Sequence, residues 1–161
     1  MSLEGSCHCK AVRFRVRSAS PVPFNHCYCE ICRKTAGGGG YAINLGADFR
    51  TLEVEGRDNL RVYRAKLTDS ETGAVMESQA ERNFCGECGS ALWLWDPRWP
   101  DLVHPHASSI DSDLPKPPRR WHMMLEHKAG WVEPCVRGGD REFEAYPDRS
   151  LAQWHEENGI G

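Results

Sequence analysis

Seven of the eight cysteines in this chain fall into three tight groups: Cys7-His8-Cys9, Cys27-Tyr28-Cys29-Glu30-Ile31-Cys32 and Cys85-Gly86-Glu87-Cys88. Thiols so close together cannot each reach a separate disulfide partner without crowding, whereas a metal ion draws clustered thiolates to one point. In an extended segment, residues two apart project to the same face, so Cys7 and Cys9 can reach a single ion. A C-x-x-C turn brings its two sulfurs round a common centre, with Gly86 and Gly89 supplying backbone freedom for the knuckle. One C-x-C plus one C-x-x-C, Cys7, Cys9, Cys85 and Cys88, makes a closed tetrahedral zinc site of structural type. The remaining Cys27, Cys29 and Cys32 supply three ligands and leave a fourth position free, as in a catalytic zinc site. Spacing alone also allows Cys27–Cys32 to join Cys85 and Cys88 in a zinc ribbon. The four-plus-three division is preferred because it leaves neither Cys7 nor Cys9 idle. A fourth ligand from His26, His104 or His106 would close the second site and turn it into a scaffold.

Other readings of the cysteines fit less well. Thioredoxin-like C-x-x-C pairs sit at a helix start within a βαβ pattern, which this sequence lacks. The first residues run straight into Cys7 with no charged-then-apolar leader pattern, so the expected location is the cytoplasm. No apolar run is long enough to span a bilayer. A formal net charge of -3, with Arg119-Arg120 as the densest basic pair, gives no footprint for a phosphate backbone. The expected partners therefore exclude nucleic acid and membrane.

The 161 residues suit one domain with a real core. Between positions 10 and 16, Val12, Phe14 and Val16 alternate with Arg13, Arg15 and Arg17, the pattern of a half-buried strand. Further strands are predicted at 41–45, 52–55, 60–64, 78–84, 91–95 and 121–125. Turn signals separate them at 37–40, 56–59, 69–73 and 111–118. A short helix is expected at Glu30–Thr35, ended by the glycines. A second is expected after Ser150, whose spacing to Gln153 is that of a capping box, with Leu151 and Trp154 on its buried face and Gly159 as its stop. Many short strands with Gly- and Pro-rich joints make the fold class mainly β with a short C-terminal helix.

The segments Gly5-Ser6-Cys7-His8-Cys9, His26-Cys27-Tyr28-Cys29-Glu30-Ile31-Cys32-Arg33-Lys34 and Phe84-Cys85-Gly86-Glu87-Cys88-Gly89-Ser90 resemble the glutathione-dependent formaldehyde-activating enzyme family, which includes the centromere protein V domain. Ser109-Ile110-Asp111, Trp121-His122 and Gly130-Trp131 resemble its later pattern. The likeness runs over about residues 4–132, leaving 133–161 as a C-terminal extension of a single domain. It implies small coiled β-sheets stapled by zinc, similar to the Mss4-like fold. It also implies two zinc ions, a structural one on Cys7, Cys9, Cys85 and Cys88 and a catalytic one on Cys27, Cys29 and Cys32. The implied activity is that of a carbon–sulfur lyase, S-hydroxymethylglutathione synthase-like, with glutathione as the first small-molecule thiol to consider. Two stretches depart from the pattern. Four consecutive glycines follow where a Gly-Ser and an aromatic residue are usual, and the segment between Pro97 and Asp111 is rich in His and Pro.

Arg33, Lys34 and the backbone N–H groups of residues 37–40, Gly38 and Gly39 among them, are expected to receive a substrate carboxylate because they adjoin the second cluster. His104 and His106 are read first as packed or exposed histidines, and Asp111 and His122 first as structural residues, with proton transfer as the alternative. Cys135 has no motif partner and is expected to be buried. Trp93, Trp95 and Trp99 follow the Cys85–Cys88 knuckle and are expected to shield its metal. The competing function is a zinc-stabilised module that binds a protein partner without catalysis. A homodimer is left open.

Overall fold

The structure, a computed structural model, describes residues 1–160. The chain runs through β1 (Ser2–Ser6), β2 (Arg13–Arg17), β3 (Asn25–Cys27), α1 (Glu30–Thr35), β4 (Ala42–Ile43), β5 (Ala47–Glu55), β6 (Leu60–Tyr63), β7 (Lys66–Thr68) and β8 (Val75–Glu77). It continues through β9 (Glu81–Cys85), β10 (Ala91–Trp95), β11 (Leu102–Pro105), β12 (Trp121–Met123), β13 (Arg141–Glu142) and α2 (Leu151–Glu157). A seven-stranded antiparallel sheet has the order β1-β2-β5-β11-β10-β9-β6, and a four-stranded sheet the order β13-β12-β3-β4. β7 and β8 form a separate hairpin. The mainly β class with a short C-terminal helix is what the sequence pattern implies.

Alternation works where one face of a strand is wet. Val12, Phe14 and Val16 are buried and the intervening arginines exposed. The strand itself begins only at Arg13, because Lys10 adopts a left-handed φ of 63° and Cys7 closes a loop onto Val12. That core also holds Leu3, Leu45, Leu92, Trp93, Val103 and the buried Cys7 and Cys85. A second cluster joins Phe24, Trp121 and Trp154, with Phe24 and Trp154 stacked at 3.6 Å. Leu151 packs there too, so α2 docks by the face its sequence indicates, and the Ser150–Gln153 capping box is formed. Burying Trp154 anchors a seven-residue helix that would be marginal alone.

The small sheet is fastened by a buried polar network. Asp140 accepts from the backbone N–H of Arg120 and Arg137 at 2.8 and 2.9 Å and from Arg120 Nε at 3.0 Å, with Nη2 paired to it at 2.8 Å. His122 lies between Asp140, at 3.4 Å, and the Tyr28 hydroxyl, at 2.9 Å. The network ties β12 to the turn before β13 and to Tyr28, the residue between two of the clustered cysteines. Burial works against the Asp140 charge. The backbone N–H groups of Arg137 and Arg120, followed by the Arg120 guanidinium, overcome it and hold the carboxyl at about 2. Because the folded value lies below the ordinary 3.8, the stabilisation is fully present above about pH 4 and is lost as pH falls through 2. It amounts to roughly 2 kcal/mol. Asp140→Ala should cost about 3–5 kcal/mol, since it strands the Arg120 charge in the interior. Urea unfolding at pH 7 measures this loss. Asp140→Asn should flatten the acid limb between pH 4 and 2, and an unchanged limb would contradict the role given to Asp140.

Candidate metal centre

The four-cysteine group is assembled from two distant parts of the chain. Cys7 and Cys9 lie in the loop after β1, and Cys85 and Cys88 form the knuckle between β9 and β10. Their four sulfurs all lie within 4.8 Å of one another. Cys7 and Cys9 are 3.6 Å apart, and Cys9 and Cys85 are 3.8 Å apart. A zinc tetrahedron with Zn–S bonds of about 2.3 Å has sulfur–sulfur edges of about 3.8 Å, so the donor set and spacing fit that ion. The knuckle closes by Gly89 N–H donating to the Cys85 carbonyl at 2.8 Å. Gly89 has a φ of +74°, the left-handed conformation the turn requires, whereas Gly86 is needed because the chain passes close to the Asn59 carbonyl. Val12 N–H donates to the Cys7 sulfur at 3.2 Å, and Ser90 bridges the two loops by contacting Cys88 Sγ and His8 N–H. The Ser90 hydroxyl and then the surrounding backbone N–H groups hold the Cys88 thiol at about 5, so it is ready to serve as a thiolate ligand.

The three-cysteine group is built at one junction. Cys27 ends β3, Cys29 is the N-cap of α1, and Cys32 lies in its first turn. Their sulfurs also lie within 4.8 Å of one another, and no His, Asp or Glu of the described residues joins them at that spacing. Cys27 and Cys32 are buried and Cys29 is half-buried, so one side of the group is accessible. Cys29 accepts from Cys32 N–H at 3.3 Å. Hydrogen bonds from Cys27 and then Cys32 bring the Cys29 thiol down to about 2, while Cys27, which keeps its proton as the donor of that bond, is pushed far up. The Cys29 sulfur is the one that its neighbours favour as a thiolate, and the three sulfurs are a donor set that fits a soft or borderline cation such as zinc.

Behind this group stands a pair that the sequence did not single out as a unit. Asn44 Nδ2 lies 4.0 Å from Cys32 Sγ, and Asn44 Oδ1 lies 3.1 Å from His106 Nδ1. His106 is buried, which lowers its pKa to about 4 and keeps the ring neutral. With Nδ1–H donating to Oδ1, the Asn44 amide turns its own N–H groups toward the sulfur, as outer hydrogen bonds commonly orient and tune a ligand. The Asn44–His106 bridge, with Leu45 N–H donating to the Pro105 carbonyl at 2.9 Å, joins these segments far apart in sequence.

The other expected site residues separate. Arg33, Lys34 and Gly38 line an open groove of about 950 Å³ with Cys7, Lys10 and Asp111. Gly39 and the three clustered cysteines are not among its walls. Lys34 is already paired with Glu30 at 2.8 Å. Asp111 accepts from Ser6 and pairs with Lys10 at 3.3 Å beside the four-cysteine loop, and His122 belongs to the Asp140 network. His104 contacts the Leu45 carbonyl at 3.0 Å, and His26 stacks on Tyr41. Cys135 is exposed rather than buried, since it follows Pro134 in a loop outside every core cluster. Of the three tryptophans, Trp93 is buried in the core with Cys7 and Cys85, and Trp95 packs against that core from its edge. Trp95 stacks on Phe49, and Trp99 is 53% exposed beneath Arg98. No helix of the described residues is long and apolar enough to cross a membrane.

The family model for the glutathione-dependent formaldehyde-activating enzyme matches residues 2–126. A Halomonas elongata protein that carries that enzyme's name provisionally is 59% identical over 160 residues, covering 99% of this chain and 98% of its own. A solved structure of a Rhodobacter sphaeroides protein is 25% identical with a TM-score of 0.50, covering 71% of this chain and 92% of that one.

Proposed function

Because the chain belongs to the glutathione-dependent formaldehyde-activating enzyme family, we propose that it is a single-domain, zinc-dependent carbon–sulfur lyase of the cytoplasm that joins formaldehyde to the thiol of glutathione and reverses that addition. The observation that carries this reading is the three-cysteine group, with its close sulfurs, accessible side and no fourth protein donor among the described residues. Cys7, Cys9, Cys85 and Cys88 would hold a structural zinc, and Cys27, Cys29 and Cys32 a second. When bound there, the second ion would supply an open position and a positive charge that favours ionisation of a thiol near neutral pH.

In the synthetic direction the substrate S–H proton leaves, a carbon–sulfur bond forms at the carbonyl carbon, and the carbonyl oxygen gains a proton. The product is the S-hydroxymethyl thioether, and no electrons are gained or lost overall. The chain's own residues place the reactants. Asn44 steadies Cys32 through its amide, and buried neutral His106 fixes the orientation of Asn44. Arg33, Lys34 and Gly38 would receive a substrate carboxylate in the groove that α1 borders, where their support is chain adjacency to Cys32 and the cationic wall, while Gly39 lies outside that wall. Holding thiol and aldehyde together removes much of the entropic barrier to the addition.

Exchange NMR between free formaldehyde and S-hydroxymethylglutathione tests the proposal. The zinc-loaded protein should accelerate exchange well above the spontaneous rate. The Arg33→Ala, Lys34→Ala double variant should raise KM roughly tenfold with kcat nearly kept, the pattern of lost uniform binding. A zinc-loaded protein that leaves the spontaneous rate unchanged would sink the enzyme reading and leave a zinc-stabilised binding module.

A further inference from the structure

Two buried guanidinium nitrogens of the described residues have no hydrogen-bond partner, Arg33 Nε and Arg82 Nη1. Arg33 borders the groove beside the four-cysteine loop. Arg82 is in a different place. It lies on β9 opposite Leu94 of β10, which in turn lies opposite His104 of β11. Residues directly opposite across a sheet share a face, so Arg82 and His104 stand on the same side of the large sheet. That side abuts residues 44 and 45: His104 contacts the Leu45 carbonyl, and Asn44 contacts both His106 and Cys32.

A guanidinium donor sealed from water without an acceptor is costly and calls for an explanation. The neighbouring arginines of the same strands and loops show the ordinary solution. Arg98 is paired with Asp96, Arg64 with Glu81 and Arg120 with Asp140. Arg82 has no such carboxylate, although it lies beside the group of sulfurs that the reaction needs. Its planar fork suits bidentate recognition of a carboxylate, which glutathione carries at each end.

We propose that Arg82 is the anion-recognition residue of the three-cysteine site, its free guanidinium edge taking a carboxylate of the peptide thiol whose sulfur meets Cys27, Cys29 and Cys32. This rests on the reading of the site as one for glutathione, and it makes a carboxylate within reach of the thiol a requirement for good substrates. Small neutral thiols would therefore reach the sulfur group without being held in place.

Calorimetric titration of the zinc-loaded protein with glutathione and with glutathione dimethyl ester separates the possibilities. The wild type should bind the free acid roughly 10- to 100-fold more tightly than the ester, the range of one charge-assisted hydrogen-bonded pair. Arg82→Gln should cut that preference roughly tenfold while leaving ester binding unchanged, with any remainder due to Arg33 and Lys34 at the other carboxylate, and Arg82→Lys should restore part of it. Both variants should keep the zinc content and melting temperature of the wild type. Equal loss for acid and ester, or an acid preference that Arg82→Gln leaves undiminished, would overturn the proposal, as would a wild type that binds neither. Exchange NMR on the same samples keeps the two readings apart. Catalysis without an Arg82-dependent preference leaves the enzyme reading standing and removes Arg82. An Arg82-dependent preference without catalysis does the reverse.

Discussion

Cys85→Ser should abolish cooperative folding at room temperature. Cys85 is fully buried, ends β9 opposite Leu60 of β6, and lies in the same core as Leu3, Val12 and Trp93. Its sulfur is one of four that join the loop after β1 to the β9–β10 knuckle, at opposite ends of the strand order from β1 to β6. Serine supplies neither the soft donor nor the volume. Structural zinc contributes about 10–16 kcal/mol of apparent binding free energy in small zinc domains, as much as or more than a typical domain's whole stability of about 5–15 kcal/mol. The variant should show lost near-ultraviolet dichroism, no sharp thermal transition and little retained zinc. A folded Cys85→Ser protein with an ordinary melting curve would mean that the four sulfurs do not staple the fold.

Cys29→Ser should give the opposite pattern, a folded protein without activity. Cys29 is half-buried at the N-cap of α1, and a serine oxygen caps a helix as well as sulfur does. The surrounding structure stands on other supports: the β3–β12 pairing, the Asp140–His122–Tyr28 network and the Phe24–Trp121–Trp154 cluster. What the substitution removes is one of the three sulfur ligands. Exchange of formaldehyde with glutathione should fall by more than the ~10–100-fold that losing an outer hydrogen-bond partner of a metal ligand typically costs. The melting temperature should move by only a few degrees, as expected for a change of about 1 kcal/mol in a domain of this size. Zinc should fall from two ions per chain to one. Activity retained in Cys29→Ser would show that the reaction does not use this group.

The contrast between these two variants reflects what could be read from the chain. C-x-C and C-x-x-C spacings are local, so the three groups were legible directly from the sequence. Which pairs meet depends on the fold, since Cys9 and Cys85 are 76 positions apart and meet only across the large sheet. Strands with one wet face, such as β2, announced themselves by alternation. β3 is three residues long and buried throughout, and β13 has only two residues, so neither carries a periodic signal. β1 was not anticipated because Gly5 weakens the pattern of Ser2–Ser6, although Gly5 is there to let Phe14 and the Ser109 carbonyl approach closely. The polar residues that complete the site were the least legible. Asn44, Arg82 and His106 come from three segments, and the chain holds many similar residues with no metal beside them. Asp140 likewise gains its meaning only from Arg120 and His122, which lie far back in the sequence.

Elemental analysis of zinc in protein purified without chelator, repeated after mild chelation, bears most directly on the central assignment of two metal groups. The expected result is two zinc ions per chain, falling to one under mild chelation with loss of formaldehyde–glutathione exchange and no loss of fold. A single zinc that chelation cannot remove, or two that leave only together as the chain unfolds, would contradict the assignment of an accessible second ion to Cys27, Cys29 and Cys32.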